Sequence, residues 1–343
     1  MQLVHCRPRA NMLTGWQPPF RLDRGLSDQE RSTHLPYDVE QGFTPDETLG
    51  MTGFNGTYVE FLDRTFKIKG MAATLFLGGA VCLCVMLLAW LSVQLMSTFY
   101  EDIVESIILI LLSWIVLGGI SVFIWTIFLR KDLFQYVFYP VRFNRKTRKI
   151  YFFQHDGPGG TMVLPWGDPS VYFHIGRGTQ NKDLFDLRCH VLDRNRQVQQ
   201  TFTVGHFWDH ENRIREEWEL IRRYMEDGPA HCFDHPADRM IALSTRVTWR
   251  NCWLMVCLMM GTTLYPLRWN LMFPIYGALT LSRWLTMKSC RAPVFPPEVE
   301  AECAIEPGDP YVLPEPSFMA EFATTRETDE RSAQRFHDRQ RWK

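Results

Sequence analysis

Two long stretches without a charged residue dominate the hydrophobic pattern of this chain. The first covers residues 71–96 and the second residues 107–129. As helices they would measure about 39 Å and about 35 Å, more than the roughly 30 Å of hydrocarbon in a bilayer. The pattern therefore predicts two transmembrane helices. The short connector between them makes residues 67–131 a hairpin of antiparallel neighbours.

Charged residues beside the two stretches predict their orientation. The connector carries Glu101, Asp102 and Glu105 and no basic residue, whereas basic residues precede the first stretch and follow the second. Because basic residues favour the cytoplasmic side, both termini are predicted to be cytoplasmic. Neither stretch holds an ionisable side chain, which argues against a proton relay or an ion path through the hairpin.

A second pattern follows the hairpin, where six short runs rich in β-branched and aromatic residues alternate with turn residues up to residue 204. Such runs predict antiparallel strands joined by hairpins. Residues 208–227 then predict a helix whose apolar stripe needs a sheet to cover it, and Asp209 is expected to cap its start. The stripe consists of Ile214, Trp218, Ile221 and Met225.

Residues 132–228 are thus predicted to form one domain, a small antiparallel barrel or sandwich of six or seven strands with a C-terminal helix. The order of elements, with the run TMVLPW at residues 161–166 before an aromatic strand, resembles bacterial pleckstrin-homology-like domains. This resemblance implies an α+β membrane protein with such a domain beside its membrane helices. It implies no function, since one fold serves many functions.

Five basic residues crowd the first turn of this domain, about a dozen residues after the membrane exit. An anionic lipid headgroup would be attracted there by about 1 kcal/mol per basic residue, which predicts a headgroup or partner site. The alternative is a solvated turn that follows the positive-inside rule. The five residues are Arg142, Arg145, Lys146, Arg148 and Lys149.

Residues 246–288 form a third apolar region, which Arg268 divides into two halves. Each half is too short for a full span. Tryptophans and basic residues at the ends are typical of an interfacial or re-entrant helical hairpin; two thin transmembrane helices and a buried soluble helix pair are the alternatives. The predicted membrane-interface residues are Trp249, Trp253, Trp269 and Trp284.

The two ends of the chain have less regular patterns. Residues 1–66 are predicted to be mostly loop, apart from residues 57–66, which suit a strand or an amphipathic lead-in. Residues 289–343 are first Pro-rich and acidic and then mixed in charge. That composition predicts an extended segment followed by at most a lone helix.

Composition excludes several classes of protein. With 37 basic and 38 acidic residues among 343, the chain carries no bulk charge for binding nucleic acid. Its nine cysteines are odd in number and irregularly spaced, so a secreted disulfide framework is not expected. The N-terminus lacks the apolar core of a signal peptide.

Motifs for chemistry are absent from the sequence. It contains no HExxH, GxSxG, Walker A, GxGxxG or paired CxxC motif, so we expect no cofactor and no metal. Two groups of potential zinc ligands, at residues 206–210 and 231–235, suit helix-cap and loop roles better. Cys189 and His190 are strand neighbours that point to opposite faces, which disfavours a catalytic pair.

A resemblance to one family spans most of the chain. It rests on the segment TYVE at residues 57–60, the PW and GHF turns, the Trp-rich apolar region, and the runs PPEVEAEC and PGDP within residues 296–310. Together they look like a bacterial membrane family of unknown function whose members are typically encoded beside type VI secretion spike and effector genes. The resemblance implies an inner-membrane accessory or immunity protein, and no active site.

Two classes of function remain. The first is a non-enzymatic inner-membrane protein whose cytoplasmic β domain binds a secreted toxin, effector or spike protein. The second is a membrane-surface protein that binds or processes lipid with the basic turn at residues 142–149. The missing motifs and the family resemblance favour the first. In the predicted topology, an immunity protein would meet its toxin in the cytoplasm or within the membrane.

Overall fold

The computed structural model describes residues 20–47, 49–97, 103–178, 181–260, 272–319, 321 and 330. The first elements are β1 (Arg24–Gly25), α1 (Asp28–Ser32), β2 (Met51–Phe54), β3 (Tyr58–Phe61), α2 (Thr65–Ile68), α3 (Ala72–Ser97) and α4 (Ile103–Asp132). The next are β4 (Val141–Asn144), β5 (Lys149–Phe153), β6 (Thr161–Pro165), β7 (Val171–Arg177), β8 (Phe185–Leu192) and β9 (Gln197–Trp208). The last are α5 (Glu211–Glu226), α6 (Trp249–Met260), α7 (Phe273–Ser289) and α8 (Pro297–Glu302).

The described residues divide into two compact units. Unit 1 lies within residues 1–67, 136–246 and 292–343, and unit 2 lies within residues 68–135 and 247–291. Each unit therefore combines segments that are far apart in the sequence.

Unit 1 contains two antiparallel sheets. One has the strand order β1-β9-β8-β7 and the other has the order β2-β3-β4-β5-β6. Neither sheet closes on itself among the described strands, so of the predicted barrel or sandwich the barrel is wrong. The described residues of unit 1 form a mixed α+β arrangement with two antiparallel sheets. The physical reason is that strands from the N-terminal segment extend both sheets: β2 and β3 join one, and β1 joins the other.

All six strands predicted between residues 133 and 204 are present, as β4 to β9. The first is shorter than its run and begins at Val141, directly after Pro140, which has no N–H to donate to a ladder. Residues 57–66 contain both a strand, β3, and a short helix, α2. The N-terminal segment is therefore more regular than its loop-like composition predicted.

The core of unit 1 is formed by residues of both sheets and α5. The predicted stripe of α5 is buried as a whole, which confirms the helix and its inward face. Trp218 lies at its centre, stacked on Trp166 with 5.7 Å between ring centroids and packed against Phe173 at 4.7 Å. Aromatic contacts at these distances add to the energy of area burial.

The start of α5 differs from the prediction. Because β9 continues to Trp208, the helix begins only at Glu211 and His210 takes the N-cap position. His210 makes no side-chain cap hydrogen bond. The predicted cap by Asp209 is therefore wrong.

Residues 292–319, which we call the C-terminal strap, belong to unit 1. The N–H of Leu313 donates to the carbonyl of Phe54, with 3.0 Å between N and O. Farther back, Phe295, Val299 and Cys303 join a small apolar cluster with residues of β5. The predicted extended character holds for much of the strap, but it also contains the six-residue helix α8.

Unit 2 holds the two long apolar helices. Both α3 and α4 are long and apolar enough to cross a membrane. Only 11% of the most apolar 18-residue segment of α3, and 6% of that of α4, is buried. These helices confirm the two predicted apolar stretches, with α4 beginning four residues earlier than expected. The helices α6 and α7 also belong to this unit, and Val256, Tyr276 and Leu279 pack beside Met71 and Leu75 near the start of α3.

Candidate functional site

A pocket of about 240 Å³ opens on unit 1. One wall is the chain that follows α1, and the other is the connection from β6 to β7 together with β7 itself. Aromatic rings dominate the lining, and Asp38, Asp168 and Arg196 add charge to it. The aromatic residues are His34, Tyr37, Trp166, Tyr172 and Phe173.

The rings of this aromatic pocket hold one another in place. His34 stacks on Tyr172 with 4.3 Å between centroids, and Tyr37 meets Trp166 edge-on at 6.3 Å. Gly167 lies beneath Tyr37 with φ of +83°, a left-handed conformation that favours glycine in this turn. The turn from β6 to β7 thereby brings Trp166 and Tyr37 together.

The pocket is suited to recognising a protruding side chain. Its volume lies below the roughly 300 Å³ at which pockets for drug-sized ligands begin. Tyr37 is 42% exposed, which leaves a large aromatic surface at the mouth. Exposed aromatic anchors of this kind carry much of the energy in protein–protein interfaces.

A buried group of potential metal ligands lies beside the pocket, on the face of this sheet that also carries Tyr172. The Nε2 atoms of His174 and His190 are 2.9 Å apart, and Glu30 Oε1 is 3.1 Å from His190 Nε2. All three residues are buried, and their ligand atoms lie within 4.8 Å of one another. We call Glu30, His174 and His190 the His–His–Glu cluster.

The strand register explains why the two histidines meet. His190 of β8 lies opposite Tyr172 of β7, so His174 is its diagonal neighbour on the same face. On the other side of β8, His190 lies opposite Thr201 of β9. The hydroxyl of Thr201 is 2.8 Å from His190 Nδ1 and fixes the orientation of that ring. Helix α1 covers the pair and supplies Glu30.

Glu30 is itself held from several sides. Arg24 donates two hydrogen bonds to its carboxylate, at 2.8 and 2.6 Å, and the N–H of Ser27 donates a third at 2.8 Å. Burial alone would raise the pKa of Glu30, but the hydrogen bonds from Arg24 and His190 hold it below its usual value. Burial lowers the pKa of His174 to about 3. At neutral pH the carboxylate is therefore charged and the His174 imidazole is neutral.

The five predicted basic residues lie on and beside the hairpin of β4 and β5, and each has a partner within unit 1. Arg142 pairs with Glu60 at 2.5 Å and with Glu300 at 3.0 Å, while Lys149 pairs with Glu302 at 2.6 Å. The ammonium of Lys149 also holds the pKa of Glu302 below its usual value.

The other three basic residues are also engaged. Lys146 pairs with Glu306 of the C-terminal strap. Arg148 contacts Glu226 at 2.8 Å. Arg145 donates to the carbonyl of Gly56 at 3.3 Å. Acidic residues of the strap thus neutralise much of the hairpin's charge.

Three of the four predicted interface tryptophans lie among the described residues of unit 2. Trp249 is exposed and meets Trp284 edge-on at 6.3 Å, while Trp253 packs against Phe273 at 5.6 Å. Trp269 lies within residues 261–271, outside the described residues, as does Arg268. The described tryptophans therefore belong to a packed helix pair with one exposed ring, and its depth in a membrane stays a prediction.

The groups first considered as zinc ligands are separated by the fold. His206 is a buried residue of strand β9, so the helical spacing expected for it with Asp209 and His210 does not apply. Cys232 is buried in the core. Among the described residues, neither group places three potential ligand atoms together.

Cys189 and His190 point to opposite faces of the sheet, as predicted. Cys189 lies in the main core, whereas His190 belongs to the His–His–Glu cluster. Burial raises the pKa of the Cys189 thiol, which keeps it protonated and poorly nucleophilic.

Comparison with known families identifies the chain at the level of its family. A model of DUF6708, described as a family of unknown function, matches residues 120–307, more than half of the chain. The chain belongs to this family. The part that matches DUF6708 runs from α4 into the C-terminal strap and includes both histidines of the His–His–Glu cluster, but not Glu30. No curated protein and no solved structure matches the chain.

Sequence reasoning missed both sites in this DUF6708 protein. Glu30 is 144 positions before His174, and nothing in the local pattern connects them. One signal was present: two neighbouring predicted strands, at residues 170–176 and 184–193, each carry a histidine. Pairing those strands as a hairpin would have placed the two histidines near each other.

Proposed function

We propose that this chain is a non-enzymatic, membrane-anchored binding protein that holds a protein partner on unit 1. In this proposal α3 and α4 cross the bacterial inner membrane, both termini are cytoplasmic, and unit 1 is a pleckstrin-homology-like binding domain. The family resemblance makes a secreted toxin, an effector or a type VI spike protein the expected partner. The role is then that of an accessory or immunity protein.

The observation that carries the proposal is the aromatic pocket. Tyr37 is exposed at its mouth, while Trp166 and Phe173 form a wall that is largely buried, so a partner's side chain can be buried against the Tyr37 ring and the edge of that wall. Burying an aromatic or aliphatic side chain there contributes about 1.5–3 kcal/mol, which suits an anchor residue of a protein interface.

The experiment is a pull-down of the tagged full-length chain in mild detergent, co-expressed with its adjacent genes. Tyr37→Ala is compared with Val39→Ala, a neighbouring exposed apolar residue that does not line the pocket. We expect the Tyr37→Ala variant to retain at least tenfold less partner, while the Val39→Ala variant retains the wild-type amount. If both variants retained equal amounts of partner, the binding surface would have to lie outside the pocket.

A lipid-binding function is the second candidate, because three basic side chains remain partly open. Those of Lys146, Arg148 and Lys149 are 37–44% exposed despite their partners. Exposed ion pairs are worth only about 0–1 kcal/mol, so an anionic surface can compete for these groups. The structure supports this function less than the first, since lipid would have to displace acidic residues of the same unit.

Charge reversal separates the two candidates. The full-length chain is placed in nanodiscs of zwitterionic lipid, and its binding to anionic liposomes is measured by flotation. The test variant reverses Arg145, Lys146, Arg148 and Lys149, and the control variant is Arg194→Glu, which reverses an exposed basic residue elsewhere in unit 1. Loss of flotation in the test variant alone would support lipid recognition. Equal flotation would leave the protein-binding function.

A further inference from the structure

We propose that Glu30, His174 and His190 form a zinc site that fastens helix α1 to the sheet of β7, β8 and β9. Two imidazoles and one carboxylate are a donor set that zinc uses in proteins, with a water molecule in the fourth position. This proposal is independent of the partner-binding function, since it rests on different residues and has its own measurement.

Two of the three distances between ligand atoms are close to what zinc requires, and the third is at most 4.8 Å. Zinc–nitrogen bonds of about 2.0–2.1 Å in tetrahedral geometry place two ligand nitrogens about 3.3 Å apart. His174 Nε2 and His190 Nε2 are 2.9 Å apart, so the two rings need to separate by only a few tenths of an ångström. Glu30 Oε1 already lies 3.1 Å from His190 Nε2.

Behind His190 the surroundings are also arranged as they are around metal ions, whereas His174 Nδ1 has no hydrogen-bond partner among the described residues. Ligating histidines typically hold their second ring nitrogen in a hydrogen bond, which fixes the ring. The Thr201 hydroxyl does this for His190 Nδ1 at 2.8 Å.

Arg24 remains compatible with a bound ion. Its NH1 donates to Glu30 Oε2 at 2.8 Å, and the N–H of Ser27 donates to the same oxygen at 2.8 Å. These two hydrogen bonds orient the carboxylate. The hydrogen bond from Arg24 NH2 to Oε1, at 2.6 Å, is exchanged for the bond to zinc.

A zinc ion here would order the chain that leads into the aromatic pocket. The ligand Glu30 lies four residues before His34, and His34 pairs through its backbone with His174 of β7. Connecting α1 to β7 and β8 through one ion therefore restrains the wall of the pocket as well as the helix.

The test measures zinc in the full-length protein, purified in mild detergent, stripped with a chelator and reloaded with zinc chloride. Wild type is compared with Glu30→Gln, His174→Gln and, as a control, His34→Gln, a nearby histidine outside the cluster. We expect about one zinc per wild-type or His34→Gln chain after gel filtration. The two ligand variants should bind zinc at least tenfold more weakly.

A second measurement guards against variants that fail to fold. Wild-type thermal unfolding is followed with and without added zinc, and the metal is expected to raise the midpoint of wild type and His34→Gln only. Wild type that takes up no zinc after reloading, with no shift of the midpoint, would overturn the site and leave the three residues as a hydrogen-bonded network. Zinc uptake that the ligand variants retain, while folded by gel filtration, would overturn it equally.

Discussion

Replacing Asp186 with asparagine tests how unit 1 is held together. Asp186 is buried between two guanidinium groups: Arg64 NH1 lies 2.6 Å from Oδ2 and Arg188 Nε lies 2.6 Å from Oδ1. All three side chains are less than 10% exposed. The Asp186→Asn change keeps the shape of the side chain but removes the carboxylate charge that both guanidinium groups share.

Removing one member of a buried ion pair costs about 3–5 kcal/mol, because the remaining charge stays desolvated. Hydrogen–deuterium exchange of peptides from β8 measures this loss of stability at the amides of unit 1 itself, without contributions from unit 2. A loss of 3 kcal/mol corresponds to about 150-fold faster exchange of the protected amides. Glu306→Gln is the control, since its partner Lys146 and Glu306 itself are much more exposed and such pairs contribute about 0–1 kcal/mol.

The outcome that would refute this reasoning is an Asp186→Asn variant in which β8 exchanges within about threefold of wild type. The two guanidinium groups would then be satisfied without the carboxylate. Equal acceleration in Asp186→Asn and Glu306→Gln would refute it as well, because burial would not be the deciding factor.

Three further predictions concern stability and reactivity. Gly70 has φ of +68°, and a Cβ there would lie 2.7 Å from the Arg283 Cα. Gly70→Ala should therefore cost at least about 2 kcal/mol and lower the thermal midpoint in detergent by at least about 4 °C. The control Gly78→Ala should leave the midpoint unchanged, because a Cβ at Gly78 would have nothing within 4 Å. Burial opposes ionisation of Asp186, but the positive charges of Arg188 and Arg64 hold the pKa of Asp186 below its usual value. The free energy of opening of β8, obtained from exchange rates corrected for the pH dependence of intrinsic amide exchange, should therefore be constant near neutral pH and fall as the pH drops below about 4, and Asp186→Asn should lack this step. Cys189 should resist thiol reagents in the native protein and react after denaturation, as read by peptide mass spectrometry; rapid native labelling would contradict its burial.

The sequence predicted best the elements whose patterns are local. The two uncharged stretches predicted α3 and α4. The short β-branched and aromatic runs, alternating with turn residues, predicted β4 to β9. The stripe of α5 could be predicted because helical spacing alone places its members on one face. The strand β1 could not, since it has only two residues and its pairing partner β9 lies far along the chain. The strand β2 pairs with the adjacent β3, but it lies in a segment whose composition is loop-like.

The sites depended on contacts that no local pattern contains. The basic turn and the acidic strap were each visible in the sequence, but not that Lys149 would pair with Glu302, 153 positions later. The aromatic pocket likewise joins the chain after α1 with the turn before β7. Long-range pairing of this kind is decided by the register of the sheets and by the shared core, which sequence periodicity does not specify.

The central claim, that this chain is a membrane-anchored binding protein, is tested most directly by purifying the tagged full-length protein from membranes with its adjacent genes present. The proteins and lipids that accompany it are then quantified by mass spectrometry. The account predicts a toxin, effector or spike protein at about one copy per chain. Specific lipids without any stoichiometric protein would contradict it and make the hairpin of β4 and β5 the functional surface.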